Sequence, residues 1–447
     1  MSMKPKMLCI GSIVVMILMG AMFSGCVQEQ KPAIKTTEDL AIDIVTLLMD
    51  KNYVDVYSYF NSSITAQITA EQFQNVWEQQ IIVPNGNLTK IVKTRLTNES
   101  GYLIVYVTCN FTKQNVLDVK IVFNSQNRVM GLLVIPAQGT YQYTPPSYVN
   151  LSTFTEMNIS VGSEQWTLPG TLSIPKGAGP FPAVVLVHGS GPNDRDESIG
   201  PNKPFKDIAW GLASKGVVVL RYEKRTKQYP QESGLIQNFT VHDETITDAL
   251  SAVDVLNSSS VVNHSKIFVL GHSLGGMLAP RIGVQDHRIA GLIILAGPTR
   301  HLEDLMLEQT WYLANLSGIN QSEQIAALQQ LVMKVKMLNI SLGEDVLGAP
   351  KAYWADLATY DSVVTAESLH VPLLILQGKR DYQVTMTDFA RWNETFFGNT
   401  SVTLKTYPTL NHLFVTGTGV PTNIEYSVEG HVAEEVVVDI ATWVKNR

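Results

Sequence analysis

The segment Gly271-His272-Ser273-Leu274-Gly275 follows the apolar run Ile267-Phe268-Val269-Leu270 and precedes Gly276-Met277-Leu278-Ala279. A buried strand must here turn sharply through a serine into a helix, the pattern of a nucleophile elbow. A serine at such a turn takes a strained backbone conformation. Cβ atoms on its neighbours would collide with the adjoining strand and helix, so glycine stands on both sides. The five-residue pattern alone is weak. The strand before it and the small-residue helix start after it make Ser273 the candidate nucleophile.

Partners follow along the chain. Val371-Pro372-Leu373-Leu374-Ile375-Leu376-Gln377-Gly378 reads as a second buried parallel strand, with Asp381 just past its carboxyl end. Val402-Thr403-Leu404-Lys405-Thr406-Tyr407 reads as the last strand, and Asn411-His412 follows in the next loop. Ser, Asp, His is the order of the α/β-hydrolase fold. In this reading His412 is the general base and Asp381 fixes its tautomer and stabilises its charged form. Asp361, at the end of an inserted region, is the rival acid. Taken singly, Asp381 reads as an Asx-turn residue and His412 as a surface histidine.

An oxyanion hole needs two backbone N–H groups aimed at the developing negative charge. One comes from Leu274, after the nucleophile. The other belongs to the loop His188-Gly189-Ser190-Gly191-Pro192, behind the continuous apolar strand Ala183-Val184-Val185-Leu186-Val187. Ser190 is the expected donor, with Gly191 in reserve. This loop lacks the third glycine of a dinucleotide fingerprint and the lysine of a P-loop, so no nucleotide cofactor is expected. Asp194, Asp196 and Ser198 resemble the start of a calcium loop, but Ile199 occupies the required glycine position and no glutamate closes it; no metal is expected.

From His188 through Glu197, then Gly200-Pro201-Asn202-Lys203-Pro204-Phe205-Lys206-Asp207, Arg221-Tyr222-Glu223-Lys224-Arg225-Thr226, Gly378 to Val384 and Leu410 to Phe414, the chain resembles the secreted α/β-hydrolases related to dienelactone hydrolase and the serine aminopeptidase S33 group. The resemblance covers Ser152 to the C-terminus, and all three triad positions carry the family residue. It implies a serine hydrolase acting on small-molecule acyl esters, with peptides or thioesters as alternative substrates. A surface-binding module that has kept the fold without its chemistry is the non-enzymatic alternative.

The 447 residues exceed what one core usually serves, and 45% hydrophobic against 16% charged residues can bury a large one. A net charge of -7 with no basic stripe argues against nucleic acid. Lys4 and Lys6 precede an apolar run from Met7 to Phe23, then Ser24-Gly25-Cys26, resembling a lipoprotein signal peptide over 1–26 with Cys26 as the site of lipid attachment. An uncleaved anchor is the competing reading. Either places the protein outside the cytoplasm, held at a membrane. Cys109, alone in a strand-like segment, reads as an apolar filler. Dense Asn-x-Ser/Thr sites, among them Asn61, Asn158 and Asn315, fit a cell-surface protein.

Residues 36–136 have their own organisation. Helical spacing marks Leu40 to Asp50 and Phe73 to Gln79, and four strands follow over Lys90 to Leu96, Tyr102 to Phe111, Val116 to Phe123 and Val129 to Ile135. Helices first and an antiparallel meander afterwards make a small α+β unit, similar to the NTF2-like DUF3887 domain. Residues 137–149, with Pro145-Pro146, read as a linker, and 150–447 as the α/β-hydrolase domain. Within it, 299–369 is helical in composition and reads as a lid. Met306, Met333, Met337 and Trp354 are candidates for an acyl pocket or for the lid's own packing.

Overall fold

The computed structural model describes residues 35–447 apart from 67, 100–101, 114–115, 138–142, 163 and 318–320. Cys26 and the segment read as a signal peptide lie outside the described residues.

The N-terminal unit starts with helix Thr37–Met49, whose entry is fixed by Thr36 and Asp39 capping each other's backbone N–H groups. Its buried stripe Ala41, Ile44, Val45 and Leu48 lies on a four-stranded antiparallel meander, β1 (Leu88–Glu99), β2 (Tyr102–Phe111), β3 (Val116–Phe123) and β4 (Val129–Pro136). Val105, Val107 and Cys109 of β2 and Val119 and Ile121 of β3 supply the facing apolar surface. Cys109 is buried there, and burial, with Asp118 nearby, pushes its thiol pKa up to about 12, so it serves as a filler rather than a nucleophile.

The second unit is built on an eight-stranded sheet. Its strands are β5 (Phe154–Val161), β6 (Leu168–Pro175), β7 (Phe181–Val187), β8 (Val218–Tyr222), β9 (Val262–His272), β10 (Ile289–Leu295), β11 (Leu373–Gly378) and β12 (Val402–Tyr407). They lie in the order β12-β11-β10-β9-β7-β8-β6-β5. Only β6 runs antiparallel to its neighbours; from β8 to β12 every pairing is parallel.

Strand alternation gives the central strands two apolar faces, as a parallel sheet covered on both sides requires. Ile267 and Val269 of β9 join Val185 of β7 and helices Thr247–Asn257 and Leu274–Gln285 in one core. Phe268 and Leu270 join Val184 and Leu186 beneath helices Pro204–Ser214 and Glu434–Lys445 in the other. This is an α/β-hydrolase fold. The loops after β7, β9, β11 and β12 all leave from the carboxyl edge, where ligands bind in open parallel sheets.

Between β10 and β11 lie helices Leu302–Ser317, Ser322–Lys336, Lys351–Ala358 and Ser362–Glu367. Trp354 is buried with its indole N–H on Val346 O (2.8 Å), and Met306 packs against the core, whereas Met333 and Met337 are 50% and 70% exposed. The composition that singled out these four residues carries no information on which of them face inward.

The described end of the stretch read as a linker is docked on the second unit. Tyr143 OH donates to Asp207 Oδ1 (2.6 Å) and its ring meets Trp210 and His431 edge-on; Tyr148 OH donates to Val432 O (2.7 Å).

Candidate active site

Ser273 sits between β9 and helix Leu274–Gln285 with φ 53° and ψ -118°. Such a conformation costs a non-glycine residue on the order of 1–3 kcal/mol. It is held by Ser273 N–H donating to Leu295 O (2.9 Å) and by Met277 N–H donating to Ser273 O (2.9 Å). Close approach fixes the flanking glycines. A Cβ on Gly271 would stand 2.0 Å from Gly275 O, and one on Gly275 would stand 2.3 Å from Val187 O.

Asp381 and His412 are both buried and their side chains meet, His412 Nδ1 lying 2.7 Å from Asp381 Oδ2. An ionised carboxylate only accepts, so Nδ1 carries the proton and Nε2 is left as the bare, basic nitrogen. Asp381 is itself fixed: Oδ1 accepts from Gln383 N–H (2.8 Å) and Val384 N–H (3.0 Å), and Oδ2 accepts from the Gln377 amide (3.1 Å). The loop that carries His412 is shaped by Asn411, whose Oδ1 accepts from Leu413 N–H (3.0 Å) and Val415 N–H (3.2 Å).

The neighbour of the serine links the elbow to this pair. The His272 and His412 rings are 4.7 Å apart, and His272 Nε2 is 2.9 Å from His412 O. Among the described residues no hydrogen bond joins Ser273 Oγ to His412, a contact that in unliganded enzymes is often long and tightens with substrate.

The Gly189 loop closes against the serine, since a Cβ on Gly189 would lie 3.1 Å from Ser273 Cβ. Gly189 N–H is already engaged by Glu197 Oε1 (2.6 Å). Ser190, Gly191 and Leu274 N–H have no hydrogen-bonding partner among the described residues. Asp194 Oδ1 accepts from Asp196 N–H (3.1 Å) and Ser198 N–H (2.9 Å), so the group that resembles a calcium loop shapes the turn.

The rival acid is placed elsewhere. Asp361 caps helix Ser362–Glu367 by accepting from Val363 and Val364 N–H, and it pairs with Arg391. With Met277, Arg300 and Tyr360 it lines a cavity of about 200 Å³ under the lid, whose lining does not include Ser273.

Sequence reasoning missed Glu197 and His272 as partners. Glu197 Oε2 approaches His272 Nδ1 at 2.9 Å, off the line of a hydrogen bond and therefore an ion-pair contact. Burial opposes the charge on His272, but the adjacent Glu197 carboxylate outweighs it and holds the imidazole pKa above its ordinary value. Burial likewise opposes the charge on Glu197, and His272 outweighs it in turn, holding the carboxyl below its usual range. No local pattern announces this pair; the residues are far apart in sequence and become neighbours only through the adjacency of β7 and β9.

Residues 180–417 match the family described as serine aminopeptidase, S33, and residues 41–132 match a family described as protein of unknown function, DUF3887. Esterase EstD of Thermotoga maritima is 38% identical over 396 residues, spanning 89% of this chain and 92% of the relative. The chain belongs to the serine aminopeptidase S33 family. It is a hydrolase resembling carboxylesterases, with a DUF3887 domain ahead of the catalytic fold. Similar solved structures include a Pyrococcus furiosus esterase (18% identity, TM-score 0.43, 70% of this chain and 97% of that one). Another is the Pyrococcus horikoshii acylaminoacyl peptidase (14%, TM-score 0.46, 80% and 50%).

Proposed function

We propose that this S33-family hydrolase is a serine esterase that cleaves carboxylic esters through an acyl-enzyme. Ser273 is the nucleophile, His412 the general base, Asp381 the orienting acid, and the Ser190 and Leu274 N–H groups the oxyanion hole. The observation that carries the reading is the buried 2.7 Å His412–Asp381 contact beside the strained Ser273 elbow. Ser273 Oγ attacks the ester carbonyl carbon as its proton passes to His412 Nε2, and the carbonyl oxygen takes up negative charge facing the two N–H groups. The alkoxide leaves with the proton from His412, which breaks the ester C–O bond; water, deprotonated by the same nitrogen, then releases the acid and restores Ser273. The similarity to an enzyme named an esterase favours esters over amides.

A fluorophosphonate probe should label wild-type enzyme and leave Ser273→Ala unlabelled. A panel of acyl esters and aminoacyl amides should then show turnover of the esters. Hydrolysis confined to aminoacyl amides would make the enzyme a peptidase, and a folded protein that neither labels nor turns over would make it a binding module.

The basic Lys4 and Lys6, the apolar run after them and Ser24-Gly25 before Cys26 support export with a lipid on Cys26. Incorporation of labelled fatty acid into wild-type protein, and its loss in Cys26→Ser, tests that placement.

A further inference from the structure

Lys224 is buried, with 2% of its surface exposed, and its ammonium reaches Gly189 O at 2.8 Å. The same nitrogen forms an ion pair with Glu244 Oε1 at 2.8 Å, and Glu244 Oε2 accepts from Tyr353 OH on the lid (2.7 Å). Gly189 O also accepts from Asn193 Nδ2 (3.3 Å). A buried ammonium is costly unless paired; this one pairs with Glu244 and donates to that carbonyl.

The carbonyl belongs to the peptide whose nitrogen is Ser190. That peptide is trans, so its C=O and N–H point in opposite directions within one rigid plane. Whatever holds Gly189 O therefore sets the direction of Ser190 N–H. A positive charge at the oxygen also draws electron density toward it and makes the N–H a stronger donor.

We propose that Lys224 is a positioning residue that aims and polarises the Gly189–Ser190 peptide so that Ser190 N–H stabilises the oxyanion. The inference rests on the assignment of Ser190 as an oxyanion donor. Glu244 pairs with the ammonium inside the protein, and Tyr353 holds Glu244 from the lid side.

The test uses full-length Lys224→Met/Glu244→Gln, which removes both charges together and leaves an oxygen for Tyr353. Its kinetics are compared on an ester and on the matching thionoester, whose sulfur is a poor hydrogen-bond acceptor. For the ester, kcat should fall about tenfold to a hundredfold, less than the full loss of an oxyanion donor, with KM little changed. Thionoester turnover should fall much less, so that the wild-type preference for ester shrinks. A merely structural lysine would lower both rates alike. A folded double variant with an undiminished ester preference overturns the role of Lys224. Absence of any ester preference in the wild-type enzyme would instead remove the underlying assignment of the oxyanion hole. Should the double variant lose its cooperative thermal transition, Lys224→Gln/Glu244→Gln retains polar contacts without charge and carries the same expectation and the same overturning result.

Discussion

In the proposed reaction His412 is a base only if its proton stays on Nδ1, and Asp381 is placed to accept there while three donors hold its own oxygens. Asp381→Asn offers an amide donor to the same position and favours the opposite tautomer. Its kcat on a small ester should fall about 10⁴-fold with the thermal midpoint little moved. Asp361→Ala should leave turnover intact and lower stability by about 1 kcal/mol in urea unfolding, because that side chain caps a helix and pairs with Arg391 away from the triad. A larger turnover loss at Asp361 than at Asp381 would exchange their roles. His188, buried between Phe205 and Tyr222, makes a pH prediction. Burial, against the pull of Glu197 and aided by Lys224, lowers its pKa to about 4, below the ordinary 6.5. Between those values the unfolded chain binds a proton that the folded one refuses, so stability is present above pH 6.5 and is lost as pH falls toward 4. His188→Gln should flatten the fall of thermal midpoint over that interval; an unchanged slope would assign the acid sensitivity to other groups.

The elements that position the chemistry differ in how openly the sequence announced them. β9, the elbow and the helix after it were legible because each follows from a local rule: a continuous apolar strand, glycines demanded by contact, and small residues where a helix meets a sheet. Gly271→Ala and Gly275→Ala put that rule to the test. The clashes at 2.0 Å and 2.3 Å are with backbone oxygens that cannot rotate away, so each should cost about 3 kcal/mol or more in urea unfolding and reduce activity. Tolerance of either alanine would show that the elbow has slack. Asp381 and His412 were legible by strand order, although their contact is formed by chain segments that sequence alone cannot bring together. Glu197, His272, Lys224 and Glu244 were not legible as a network. Charged residues normally read as solvated, and these are buried only because β7, β8 and β9 lie side by side and bring their loops to one edge. The lid shows the same gap, since a helical composition marks Trp354, which is buried, and Met337, which is exposed, in the same way.

At the scale of the whole molecule, every residue assigned a part in the reaction lies on the eight-stranded sheet unit, and the small unit has a core of its own, from Ala41 to Val129, distinct from the two cores flanking the large sheet. Residues 143–149 do not behave as a free tether. Tyr143 donates to the buried Asp207, whose other oxygen accepts from Val432 N–H (2.9 Å), and Lys206 lies 4.8 Å from the Tyr143 ring centre. The contacts of Tyr143 therefore move the start of the hydrolase unit from residue 150 back to Tyr143. A chain beginning at Tyr143 should unfold cooperatively and hydrolyse small activated esters at close to the full-length rate. A chain beginning at Tyr148 exposes Asp207, Trp210 and His431 where Tyr143 had covered them. It should fold with a thermal midpoint several degrees lower, in keeping with about 1–2 kcal/mol for the lost charge-assisted hydrogen bond and ring packing. Equal midpoints for the two chains would return residues 143–147 to the role of linker. Loss of the cooperative transition in both would mean that the small unit completes the hydrolase core, against the separate cores seen here.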